Sequence, residues 1–147
     1  MNNKIYIAGP GVFKENPVEY GERLKGICEK YGYIGLYPLD NVCSNANEIA
    51  MGNYGLIDEC DIVIADANPF RGFEMDSGTA TEIGYAYAKN KRIIVYLDDT
   101  RSQVERMGSL IDENGDSVED FDLPVNLMIG CVAEIIKGNF EDAVKSL

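Results

Sequence analysis

Asp76 and Glu82 stand six positions apart in Asp76-Ser-Gly-Thr-Ala-Thr-Glu82, with Glu74 just upstream. Paired carboxylates have a mechanism available from retaining glycosidases, in which one acid attacks a sugar carbon and two displacements give net retention. The sequence contains no histidine. Ser-His-Asp and Cys-His mechanisms are therefore excluded, as is a His-ligated metal. Any acid–base work falls to Asp, Glu, Tyr, Lys or Cys. Both acids also have structural uses. Thr79-x-x-Glu82 matches a capping box, and Asp76 has the type and place of a helix N-cap. If Glu82 is instead a nucleophile, a nearby helix N-terminus should lower its pKa and keep it ionised.

The elements that must hold these acids are readable on either side. Asp61-Ile-Val-Ile-Ala65 is a short apolar, β-branched run, hence a buried strand. Ala80, Ile83, Gly84, Tyr87 and Ala88 then recur at helical spacing. The loop between carries the turn formers Asn68-Pro69, Arg71-Gly72 and Ser77-Gly78. In open α/β sheets, ligands bind at loops on the carboxyl ends of the strands. Glu74, Asp76 and Glu82 are thus expected to converge there.

Further strands are predicted at Lys4–Ala8, Tyr33–Tyr37, Arg92–Leu97 and Val132–Ile136. Helices are predicted from Pro17 to Tyr31, from Asn47 to Glu59 with Ile49, Ala50, Leu56 and Ile57 inward, and from Asn139 to Leu147. Asp98 to Asp122 is a polar, acidic excursion with some helix, and Pro124 to Met128 a short helical piece. The alternation predicts one domain over residues 1–147: a three-layer α/β/α, flavodoxin-like fold on a five-stranded parallel sheet with right-handed crossovers.

The 147 residues suffice for an ordinary core, at 46% hydrophobic and 26% charged. A formal net charge of -12 argues against nucleic acid or an anionic membrane as partner. No apolar run is long enough to span a bilayer. Met1-Asn-Asn-Lys4 leads directly into a strand, leaving no room for a secretory signal. The scattered Cys28, Cys43, Cys60 and Cys131 read as reduced, mostly buried thiols of a cytoplasmic protein, and no structural zinc site is expected.

Gly9-x-Gly11 follows the first strand but lacks the third glycine of a dinucleotide fingerprint, and Pro10 removes an amide donor. The turn still lets a ligand approach the backbone. Tyr6 on that strand is a default core residue whose hydroxyl needs a partner, and a carboxylate such as Glu82 would serve. Phe13, Tyr85 and Tyr87 are core, or one of them stacks on a planar ligand.

Tyr6-Ile-Ala-Gly-Pro-Gly-Val-Phe13, Pro38-Leu-Asp-Asn41, Pro69-Phe-Arg-Gly72, Asp76-Ser-Gly-Thr-Ala-Thr-Glu-Ile-Gly-Tyr85 and Leu123-Pro-Val-Asn-Leu-Met128 together resemble the nucleoside 2-deoxyribosyltransferases. The resemblance covers nearly the whole chain, and the acid-x5-E-x-G-Y-A block is its most specific part. It implies Glu82 as nucleophile, Asp76 as the group holding the sugar 5′-hydroxyl, and Tyr6 as the residue orienting the nucleophile. It also implies substrate contacts from Gly9, Phe13, Asn53, Asp66, Arg71, Gly78, Asn126 and Met128. Asn126 would reach into a neighbouring subunit's site, so a homodimer or higher homo-oligomer with shared sites is expected. The implied substrates are 2′-deoxynucleosides and free nucleobases, with no cofactor or metal. The chain departs from the pattern at Asn53, where many members carry an aspartate that protonates the leaving base. Asparagine delivers no proton. Asp58, Asp66, Asp40 or water are the substitutes left open. A 2′-deoxynucleoside 5′-monophosphate N-glycosidase is the near alternative, and a non-catalytic receiver-like, nucleotide-sensing module a more distant one.

Overall fold

The computed structural model describes residues 2–147. The expected lead from Met1 into the first strand lies partly outside them. Five parallel strands run in the order β2-β1-β3-β4-β5: β1 (Lys4–Ala8), β2 (Ile34–Leu36), β3 (Ile62–Asp66), β4 (Arg92–Leu97) and β5 (Glu134–Lys137). Helices α1 (Pro17–Lys30), α2 (Ala46–Glu59), α3 (Ser77–Ala88), α4 (Gln103–Met107), α5 (Leu127–Gly130) and α6 (Phe140–Lys145) complete the three layers. This is the flavodoxin-like arrangement that the alternation of periods predicts.

The central strands are apolar on both faces because both are covered. Tyr6, Ala8, Val63, Ala65, Ile93, Val95 and Leu97 pack with Leu56, Ile57, Ile83, Ala86 and Ile129, beneath α2, α3 and α5. The alternate residues Ile5, Ile7, Ile62, Ile64, Ile94 and Tyr96 pack with Leu24, Cys28, Phe140, Ala143 and Val144, beneath α1 and α6. Tyr6 is level with Val63 in the β1–β3 register, so its side chain rises toward α3. That single choice of face fixes what its hydroxyl meets.

Several expectations are corrected. Ile49 and Ala50 are exposed, and α2 buries only Leu56 and Ile57 near its end. Here Gly52 and Gly55 shorten the apolar face. Cys28 and Cys60 are buried, while Cys43 is half-buried and Cys131 exposed, all four free. Burial pushes the Cys28 thiol up to about 12 and the Cys60 thiol to about 11, which leaves both inert at neutral pH. Among the described residues, no helix is long and apolar enough to cross a membrane, and no histidine, cysteine or acidic cluster is set to hold a metal.

Candidate active site

β3 ends at Asp66, and the chain then loops through Arg71 and Gly72, both at positive φ, before α3 begins at Ser77. Asp76 caps that helix. Its Oδ2 accepts both the Thr79 amide at 3.0 Å and the Thr79 hydroxyl at 2.8 Å. Thr79 is thus the third helical residue and fully buried, not a cap, so the capping box with Glu82 does not form. Glu82 lies beyond the first turn, and that turn itself contains no acid. Its structural explanation disappears.

Glu82 points down onto the sheet and accepts a hydrogen bond from the Tyr6 hydroxyl. Tyr6 is completely buried. Burial raises the Glu82 carboxyl from its ordinary 4.5 to about 7, Asp76's negative charge adds to the rise, and the Tyr6 bond opposes it. This reverses the expected sign. At the sixth helical position the carboxylate is too far from the orphan amides for the helix end to outweigh desolvation. Burial together with the Glu82 charge pushes Tyr6 far upward, so it remains a donor.

Tyr6, Asp76 and Glu82 are therefore brought together. Gly78 belongs with them, since a Cβ there would sit 3.4 Å from Asp76 Oδ2. Glu74 is exposed, and the charge that acts on Glu82 is Asp76's. The expected triple convergence is a pair.

Phe13 and Arg71 form a second group. Phe13, exposed at the end of the turn Pro10–Phe13, stacks on Phe70 with ring centroids 5.5 Å apart. The Arg71 guanidinium lies 4.8 Å from the Phe13 ring and 4.6 Å from the Phe70 ring. Phe70, in Pro69-Phe-Arg-Gly72, is not among the residues expected from the sequence; an aromatic beside a turn arginine is the signal that marks it. Gly9 comes within reach of β3, where an added Cβ would meet Asp66 Cβ at 2.9 Å.

Asp66 faces the α1/α6 side, opposite Glu82. It accepts from the Asn68 backbone at 2.9 Å and the Asn68 amide at 2.8 Å, and burial raises its carboxyl. It lines a cavity of about 10 Å³ with Tyr20, Tyr37, Tyr96, Gly9 and Gly11. That is room for one water, which would satisfy the buried Tyr37 hydroxyl, unbonded among the described residues. Of the other acids considered for protonating a leaving base, Asp58 is bonded by Tyr85 at 2.8 Å and held below the usual range. Asp58 is therefore not poised to hold a proton. Asp40 pairs with Lys25 and accepts from the Tyr37 amide. Asn53, on α2, has a buried Oδ1 with no partner among the described residues.

Asn126 caps α5: its Oδ1 accepts from Met128 at 2.9 Å, and its amide donates to Glu119 at 2.7 Å. Met128 beside it is 73% exposed. Within one chain the Asn126 side chain bonds to Glu119 and to the Met128 backbone amide, not to the Tyr6–Glu82 pair.

Fold and site together define a flavodoxin-like domain that carries a carboxylate–tyrosine pair at the carboxyl ends of its central strands. The chain belongs to the nucleoside 2-deoxyribosyltransferase family, whose model matches residues 5–128; the family is one of enzymes. A solved 2-deoxyribosyltransferase of Leishmania mexicana superposes with a TM-score of 0.90 at 39% identity, covering 98% of this chain and 95% of that one. A 2-deoxyribosyltransferase of Bacillus psychrosaccharolyticus (TM-score 0.61, 20% identity, 95% and 88% covered) shares the fold. So does a CMP N-glycosidase of Clostridium botulinum (TM-score 0.56, 20% identity, 98% and 97% covered). An uncharacterized protein of Schizosaccharomyces pombe is 34% identical over 116 residues, 71% of this chain. The chain spans about half the length of that curated relative, 54%.

Proposed function

We propose that this protein transfers the 2′-deoxyribosyl group between nucleobases, with hydrolysis when water takes the place of the second base. The Tyr6–Glu82 pair carries the reading, because neither packing nor capping requires a buried carboxylate at that position. Glu82 attacks C1′ of a 2′-deoxynucleoside, the base departs with the bonding electrons, and a deoxyribosyl–Glu82 ester forms. A second base then displaces the carboxylate, giving net retention. Tyr6 donates to one carboxylate oxygen and orients the other. A missing 2′-hydroxyl favours the oxocarbenium-like transition state by withdrawing less charge from C1′.

Asp76 would take the sugar 5′-hydroxyl with the oxygen that Thr79 leaves free, and the missing side chain at Gly78 keeps the neighbourhood of its bonded oxygen uncrowded. Phe13, backed by Phe70 and Arg71, would stack on the base, and the Gly9 turn would let the substrate lie close to the backbone. Asn53, with its unpartnered carbonyl oxygen, would bind the base's exocyclic amine without protonating the ring. Asp66 would act through the Gly9 turn. Asn126 and Met128 would reach a neighbouring subunit's site in a homo-oligomer. The setting would be cytoplasmic nucleoside salvage, without metal or cofactor.

The test is base exchange between thymidine and adenine, with and without EDTA, together with intact-mass detection of a deoxyribosyl adduct on the protein. Exchange that resists EDTA supports the reading. No exchange, with release of base from deoxynucleoside 5′-monophosphates instead, would replace it with the N-glycosidase.

A further inference from the structure

Arg106 on α4 stands in the acidic excursion, with Glu105 beside it and Glu113, Asp116, Glu119, Asp120 and Asp122 following. A surface arginine in such company would be expected to pair with a carboxylate. Arg106 makes no ion pair among the described residues. Its guanidinium instead donates to the backbone carbonyl of Pro124 through one terminal nitrogen and to that of Phe73, 3.4 Å away, through the other. The guanidinium carbon also lies 4.5 Å from the centre of the Phe73 ring. A further bond ties α4 to the segment of Pro124: the backbone amide of the buried Gln103 donates to the Leu123 carbonyl at 2.9 Å.

Phe73 belongs to the β3–α3 loop, just before Asp76, and Pro124 comes just before Asn126. We propose that Arg106 is a positioning residue, a clasp that holds the Asp76 loop and the Asn126 segment at one fixed separation. The inference rests on the function proposed above for what those segments do, though not for the contact itself. A planar guanidinium offers donors in a rigid fork, so two acceptors on different segments fix a distance; a lysine can satisfy either but not both in that geometry. Glu82 is held independently by α3 and Tyr6, outside the clasp. Loss of Arg106 should therefore disturb where the substrate sits more than how the nucleophile attacks.

Arg106→Ala and Arg106→Lys test this by steady-state kinetics and by hydrogen–deuterium exchange. In Arg106→Ala the nucleoside KM should rise about tenfold or more while kcat stays within about threefold, since misplaced binding groups cost affinity before chemistry. Added guanidinium ion at sub-denaturing concentration should recover part of the loss, and Arg106→Lys should fall between. Exchange should increase together in residues 69–76 and 123–128 and stay unchanged in β1 and β3. If Arg106→Ala does not fold, the same pattern is read in Arg106→Lys. An unchanged KM, or exchange that rises in only one of the two segments, overturns the clasp. A wild-type protein without transfer activity would sink the functional reading alone, with the exchange result still deciding the clasp.

Discussion

A carboxylate buried beside a tyrosine hydroxyl and a second acid titrates near neutrality, so the charge of Glu82 and the protein's stability respond to the same proton. In the proposed reaction Glu82 must be ionised to attack, so turnover should fall as pH drops through about 7. The Tyr6 bond lowers that value and the Asp76 charge raises it. Tyr6→Phe should therefore move the acid limb of the kcat profile upward, and Asp76→Asn should move it downward. Limbs that shift the same way in both variants would contradict this electrostatic account. Glu82→Gln should abolish transfer and hydrolysis together. It also makes a stability prediction. Because the folded pKa is raised, the protonated Glu82 favours folding fully below about 4.5, and that contribution is lost as pH rises to about 7. A glutamine carries no charge to desolvate. Thermal melts of Glu82→Gln and wild type should be alike at pH 4.5, with the variant melting higher at pH 8.

At the level of elements, one side chain has an oxygen for each of two uses. Asp76 spends one oxygen on Thr79, as an N-cap does, and keeps the other free of protein donors among the described residues. Asp76→Ala should lose about 1 kcal/mol of stability with the cap. Asp76→Asn keeps a capping oxygen and should retain most of it. Both variants should turn over nucleosides poorly and admit 5′-monophosphates better than wild type does, as competition assays would measure. A stable Asp76→Asn with undiminished nucleoside turnover would leave Asp76 as a cap and nothing more. The strands and their order were legible because buried parallel strands read as unbroken apolar runs, and the turn residues between them are unambiguous. What the sequence concealed was a three-residue difference in where α3 begins. Starting α3 at Ser77 rather than past Thr79 moves Glu82 out of the capping position, and no local pattern distinguishes the two starts. Arg106 stayed hidden for another reason: its partners are backbone carbonyls, which every residue possesses.

For the whole molecule, the chain brings Tyr6, Asp76 and Glu82 together above its central strands but leaves Asn126 and Met128 turned to their own cap and to solvent. A site shared between subunits would give them a role. Glu82→Gln and Asn126→Ser homo-oligomers should each be nearly inactive, serine being chosen because it still caps α5. Mixed oligomers should regain sites in which one chain supplies Glu82 and the other Asn126. If activity stays at the parents' level after demonstrated subunit exchange, each site lies within one chain.

Tyr6 and Glu82 come from a central strand and a helix 76 positions apart. A chain leaving the ribosome therefore exposes the tyrosine long before the acid, and the two meet only once β1 and β3 have paired and α3 has settled above them. Until then Glu82 is one among 25 acidic residues, without the burial and the tyrosine partner that distinguish it in the folded chain. What sets it apart, its burial and its bond from Tyr6, is written by folding alone, and every chain that unfolds surrenders both until it folds again.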